Sequence, residues 1–221
     1  VERDRFTIAD SIDAFPPWNT ALLSVNSVTF DIDGVRILDD VTFSIPSGEK
    51  VGLVGANGSG KSTLLKLIAG QLRPTSGSIR LVGGGDIGYL PQIPAVDDSA
   101  TVFDMLARGS SEWSAARNEL DRALADLASN PDPSEMLIDR YQQAADALDA
   151  AGGWEVETRI HAIREGLGLG AIPDAQPFAH LSGGQKTRVL LGALLMSEPE
   201  VILLDEPTNY LDLPALEWLE E

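Results

Sequence analysis

"VGLVGANGSGKSTLLKLIAG", Val51 to Gly70, decides the fold. It reads as a short β-branched strand, a glycine turn and a helix of good formers that stops at Gly70, a residue suited to a C-terminal cap. Within it, Gly55, Gly60, Lys61 and Ser62 fit G-x-x-x-x-G-K-[ST] in the strand–turn–helix context that the pattern requires. Glycines let successive backbone N–H groups turn inward on phosphate oxygens at the positive end of a helix dipole. The expected phosphate-binding set is Gly55, Asn57, Gly58, Ser59, Gly60, Lys61, Ser62 and Thr63. Lys61 adds a full charge, and the Ser62 hydroxyl is placed to ligate Mg²⁺.

A second stretch, "LSGGQKTRVLLGALLMSEPEVILLDEPTNYLD" (Leu181 to Asp212), complements the first. "VILLDE" is a buried strand ending in two acids: Asp205, expected to hold Mg²⁺, and Glu206, expected to polarise an attacking water. With a phosphate loop upstream, the implied chemistry is phosphoryl transfer from a nucleoside triphosphate to water, with Mg²⁺ as the metal.

The rest of the chain frames these stretches. Its 221 residues suffice for a real core, and 43% are hydrophobic, as in globular proteins. No apolar run reaches the ~18 residues of a membrane span, so direct membrane insertion is not expected. "VERDRFTIAD" has no apolar core of a secretory signal. Val1 is not an initiator methionine, which points to a cut or processed start. The absence of cysteine excludes disulfides and fits a reducing, cytoplasmic setting. A net charge of −18 argues against a broad nucleic-acid surface.

Residues 1–20, with Pro16-Pro17, read as an extension or linker. From Ala21 short strands alternate with "DIDG" and "PSG" turns, and "GSIRLVG" and "DIGYLPQ" add two more strands. From Thr101 the spacing becomes helical. Trp113, Ala116, Leu120, Ala123, Leu124 and Leu127 share one face, and Leu137, Tyr141, Ala144, Ala145 and Leu148 another. "NPDPS" separates the two runs, with Ser134 as a candidate N-cap. A third helix is expected over about 154–167, and a fourth over about 185–196. Between Ala95 and Ala150 four arginines face twelve acids with no lysine, a net of −8.

"LSGGQ", Leu181 to Gln185, resembles the signature of the ATP-binding-cassette (ABC) family, and it stands just before a helix and the acidic strand end. The resemblance covers about Leu22 to the C-terminus. It implies a P-loop cassette of α/β class, with a RecA-like α/β core, an N-terminal antiparallel β subdomain and an inserted α-helical subdomain. The cassette would occupy residues 21–221, with the helical insert over about 95–192. It further implies that Leu181, Ser182, Gly183, Gly184 and Gln185 close over ATP held by a facing cassette, in the same full-length chain or a homodimer.

By the same resemblance Gln92 contributes to Mg²⁺ and catalysis, and Phe30 stacks on adenine. Asp212 resembles the D-loop aspartate at the cassette interface. The switch histidine expected beyond Asp212 is missing before Glu221, and His161 and His180 precede the signature. The cassette is therefore expected to be incomplete at its C-terminus and a weak ATPase alone.

"DEPTNYLD" and "WEVETRIHAIREGLGL" (Trp154 to Leu169) are similar to runs of the ABC-F subfamily, soluble tandem cassettes that act on ribosomes. The room for an extra hairpin between Gln92 and Ser182 agrees. That resemblance implies a role in translation or antibiotic resistance. The alternatives are a nucleotide-binding subunit energising a membrane permease, and a non-hydrolysing ATP-dependent clamp. The acidity of the hairpin runs against an arm lying on RNA.

Overall fold

In the computed structural model the residues described are 7–9, 21–90 and 100–220. They divide into two compact units, one of the described residues up to 89 together with 199–205, the other of the described residues of 90–198 together with 206–220.

The first unit is built on an antiparallel hairpin. β2 (Ala21–Ile32) and β3 (Val35–Pro46) meet at Asp33-Gly34. Both turn residues have positive φ, 49° and 76°, as a two-residue type I′ hairpin demands. β5 (Ser76–Leu81) adds to the other edge of β2, in the order β3-β2-β5. The long ladder is not regular. Register shifts interrupt it around Val25 to Asp31, with Ser27 at φ 45° and Asp40 at φ 52°. Threonine hydroxyls take the freed donors: Ser27 N–H donates to Thr42 Oγ1 (2.8 Å) and Asp40 N–H to Thr29 Oγ1 (3.2 Å).

β4 (Gly52–Val54) leads into the phosphate loop and α1 (Lys61–Ile68). Leu64, Leu67 and Ile68 of α1 pack with Leu23, Val25, Val28, Phe30, Leu38, Phe43 and Leu203 in one core. β6 (Ile87–Tyr89) and β7 (Val201–Leu203) pair in parallel, Tyr89 level with Leu203. Inside the stretch read as an extension, β1 (Thr7–Ala9) pairs antiparallel with β4, Thr7 opposite Val54. Three residues are too few to display an alternation, and their partner lies more than forty positions away.

The second unit is helical: α2 (Val102–Ala107), α3 (Ser111–Ala128), α4 (Glu135–Ala150), α5 (Gly153–Gly166), α6 (Gly183–Met196) and α7 (Leu213–Glu220). α2 opens with a capping box in which Thr101 and Asp104 satisfy each other's backbone donors. α3 and α4 form the expected hairpin. Trp113 and Ala123 are fully buried, but Leu124, assigned to the same face, is 44% exposed. It lies next to Ala123 at the margin of the apolar stripe, where one 100° step carries a side chain outward. Ser134 occupies the N-cap of α4, yet its hydroxyl makes no cap bond.

Three of the hairpin's arginines are ion-paired. Arg140 of α4 reaches Glu119 (2.8 Å) and Asp126 (2.7 Å) of α3, Arg117 pairs with Asp121 and Glu157, and Arg122 with Glu119. The Arg140 bond holds the Glu119 carboxyl below its usual range. These partners are exposed, so they fix geometry more than they stabilise.

Trp113 anchors the unit. Its ring lies 5.8 Å from that of Phe103, and its indole N–H donates to the Gly153 carbonyl at 2.8 Å, tying α3 to the start of α5. Trp113→Ala removes a fully buried ring and its bond to that carbonyl, and should cost about 3–5 kcal/mol. A lowered urea midpoint of unfolding is the expected readout.

Candidate functional site

The phosphate loop is a run of backbone turned in on itself. Gly58 (φ 80°) and Gly60 (φ 101°) occupy left-handed conformations that side chains resist. At Gly60 an added Cβ would also stand 2.9 Å from Leu38 Cδ2, so β3 presses directly on the loop. Gly60 caps α1 without any side-chain bond. The N–H of Leu64 is the first to find a carbonyl, that of Gly60 at 2.9 Å. The donors of Lys61, Ser62 and Thr63 at the helix start therefore have no intrahelical acceptor.

Lys61 bends back over the loop, its Nζ donating to the carbonyls of Gly55 (2.8 Å) and Ala56 (2.9 Å). An ammonium has three donors, and this placement holds the charge above the loop. Ser59 Oγ is buried and bonds to no described group. Unmatched amides, a poised lysine and an orphaned buried hydroxyl together fit a phosphate chain.

Asp205 follows β7, at the carboxyl ends of a parallel strand pair, where ligands of α/β sheets bind. Tyr89 ends the neighbouring strand. Its partial burial, and then the Asp205 carboxylate, push its phenol up. Among the described residues no cluster of three or more histidine, aspartate or glutamate side chains could cage a metal.

The neighbouring acid is built differently. Glu206 sits at φ 50°, ψ 54°, a left-handed conformation rare for a side-chain residue. It opens a 3-10 turn, Pro207–Asn209, and its Oε2 accepts a bond from Asn209 Nδ2 at 2.7 Å. Asn209 lies in the "DEPTNYLD" run, but nothing in the sequence tied it to Glu206, because the bond depends on the backbone conformation of Glu206.

In the helical unit, Leu181 is buried and anchors the signature while Ser182 and Gly183 are exposed. Helix α6 begins at Gly183, two residues before its expected start. Ser182 and Gln185 form a capping box: Gln185 N–H donates to Ser182 Oγ (3.3 Å), and Ser182 N–H to Gln185 Oε1 (2.9 Å). The S-x-x-Q spacing was the signal for it. Neither Gly183 nor Gly184 has positive φ, and an added Cβ on either would meet nothing within 4 Å.

Asp212 precedes α7, and its Oδ1 accepts the Ala215 N–H at 3.1 Å, as an N-cap does. Phe30, expected to stack on adenine, is only 8% exposed and belongs to the β core, so its ring offers little face to a base. Gln92 lies outside the described residues. His161 and His180 are both exposed.

A family model described as ABC transporter matches residues 38–209. The chain belongs to the ABC family of ATP-binding cassettes, whose members are nucleotide-binding ATPases. Two curated relatives illustrate the likeness. The tylosin resistance ATP-binding protein TlrC of Streptomyces fradiae is 40% identical over 202 residues, 90% of this chain and 37% of its own length. The energy-dependent translational throttle protein EttA of Mycobacterium tuberculosis (strain H37Rv) is 36% identical over 187 residues, 84% of this chain and 32% of its own. The chain thus spans about a third of the length of these relatives.

Among solved structures, an ATP-binding subunit of an ABC transporter superposes with TM-score 0.59 at 25% identity, over 90% of this chain and 71% of that one. The protein cbiO1 of Clostridium perfringens, part of the ABC transporter complex cbiONQ, gives 0.54 at 25%, over 90% and 70%. The fold is that of an ABC ATPase cassette, combining α/β elements, an antiparallel sheet and a helical subdomain. No helix among the described residues is long and apolar enough to cross a membrane.

Lys61→Ala removes the charge above the loop. It should weaken Mg²⁺–ATP binding by about 30- to 150-fold, since charge-assisted phosphate contacts contribute ~2–3 kcal/mol. Titration calorimetry with the wild type alongside measures it.

Proposed function

We propose that this chain is an ABC-F-type cassette that binds and hydrolyses ATP, and that closure on a second cassette drives work on the ribosome, in translation or antibiotic resistance. One observation carries the paired mechanism. Gly183 and Gly184 stand at the open start of α6, yet neither backbone conformation nor packing within the chain calls for glycine there. A glycine that its own chain does not need is best explained by close approach of something from outside. A nucleotide phosphate held by a facing cassette fits, because a helix start with amides left over beside its capping box favours an anion.

In this reading Gly55, Asn57, Gly58, Ser59, Gly60, Lys61, Ser62 and Thr63 bind the phosphates of the chain's own nucleotide. Ser62 and Asp205, with Gln92, would hold Mg²⁺, which when bound neutralises charge on the β- and γ-phosphates. Glu206 orients a water and accepts its proton as the water attacks the γ-phosphorus. The bond to the β-phosphate oxygen breaks, leaving ADP and phosphate. Leu181 to Gln185 and Asp212 face the partner's site. Residues 21–221 are the cassette, with the helical subdomain within about 95–192 and residues 1–20 as an extension.

The ribosomal target draws support from the relatives, one named for tylosin resistance and one for a translational throttle. The ion-paired, acidic hairpin suits a structural element or a protein contact better than RNA. A cytoplasmic location follows from the same reading. A second reading, a nucleotide-binding subunit docked on a permease, is favoured by the structural likeness to transporter subunits. Sedimentation with ribosomes in the presence of ATP, compared with retention on a permease-bearing membrane fraction, separates the two.

Glu206→Gln in the gene's complete product should lower ATP turnover by at least about a hundredfold, the lower range for general-base loss, while ATP still binds. Turnover near the wild-type rate contradicts the assignment. The dilute, monomeric 221-residue chain should hydrolyse ATP weakly for want of a facing signature.

A further inference from the structure

We infer that Asn209 is a positioning residue for the Glu206 carboxylate. Its side-chain amide holds one oxygen of that carboxylate and leaves the other to face water. The inference rests on the reading of Glu206 as the general base.

The geometry grips Glu206 twice from the same residue. Asn209 backbone N–H donates to the Glu206 carbonyl at 3.1 Å, and Asn209 Nδ2 donates to Glu206 Oε2 at 2.7 Å. The first bond closes the turn. Two more backbone bonds back it up, Tyr210 N–H and Leu211 N–H both donating to the Pro207 carbonyl, at 3.2 and 2.9 Å. The turn is thus complete without the side chain of Asn209, so the second bond is not needed to make it.

Both side chains are exposed, where a single hydrogen bond between near neighbours adds little stability. What the bond does is orientational. Glu206 has left-handed backbone angles, and its free side chain would sample several rotamers about three torsions. Fixing Oε2 to an amide whose own backbone is locked by the turn removes most of that freedom. An ordered base in a site that reacts only in one geometry lowers the barrier without changing substrate affinity.

Asparagine suits the task through its side-chain NH₂, a donor to a carboxylate that carries no competing charge. Serine keeps a donor on a shorter arm, alanine offers none, and aspartate sets a second carboxylate against the first. The variants therefore rank themselves.

The test measures steady-state ATPase kinetics of the gene's complete product with Mg²⁺. Asn209→Ser, Asn209→Ala and Asn209→Asp are compared with wild type and with Glu206→Gln. The expected result is a kcat loss that deepens from Ser to Ala to Asp, with Ala losing about tenfold, equivalent to ~1.4 kcal/mol of barrier. KM for ATP should stay within about twofold, as for an interaction made only in the transition state. The melting temperature should stay within about 2 °C, less than a 1 kcal/mol change produces in a domain of this size.

Equal kcat in all three variants, or kcat losses that merely follow the fall in melting temperature, would overturn the inference. Glu206→Gln separates the two layers. If it is dead while the Asn209 variants turn over normally, only the positioning role fails. If it is active, the base assignment fails and the positioning role with it.

Discussion

Unmatched backbone donors at the start of α1 are the constraint around which the first unit is arranged. Amides without acceptors are costly when shielded from water, and anion binding relieves that cost. To aim them inward the loop needs Gly58 and Gly60 in left-handed conformations, and at Gly60 an added Cβ would also crowd Leu38 of β3. Lys61, bonded to the loop's own carbonyls, keeps the charge where a phosphate would need it.

The helical unit solves a related problem at the start of α6. There the capping box of Ser182 and Gln185 ties side chain to backbone in both directions, which sets the first turn and buries Leu181 as an anchor. Two glycines then stand open where nothing inside the chain requires them. Two helix starts, one folded tightly on itself and one left bare, match the proposed division of labour between a cassette's own nucleotide and its partner's.

Much of this was legible in the sequence because it rests on local chemistry. Asp33-Gly34 announces its turn by residue type, and Gly60-Lys61-Ser62 sits at a strand-to-helix junction that few other arrangements explain. What stayed hidden depends on distant pairing or on backbone state. β1 carries no alternation over three residues, and the irregular register around Ser27 and Asp40 leaves no compositional mark. Leu124 was placed inward on an ideal periodicity but lies outside the stripe. That Phe30 packs in the β core was hidden as well, because burial is invisible in one dimension. The bond between Asn209 and Glu206 needs the left-handed turn at Glu206, which no residue type there demands.

The central claim is that a nucleotide on one phosphate loop is enclosed by another cassette's signature. The rate at which labelled ATP leaves the gene's complete product, blocked in hydrolysis by Glu206→Gln, tests it most directly. The account predicts slow release, accelerated by at least about tenfold when Ser182→Arg is added, the equivalent of ~1.4 kcal/mol of lost closure. Release at one rate with and without Ser182→Arg would contradict it.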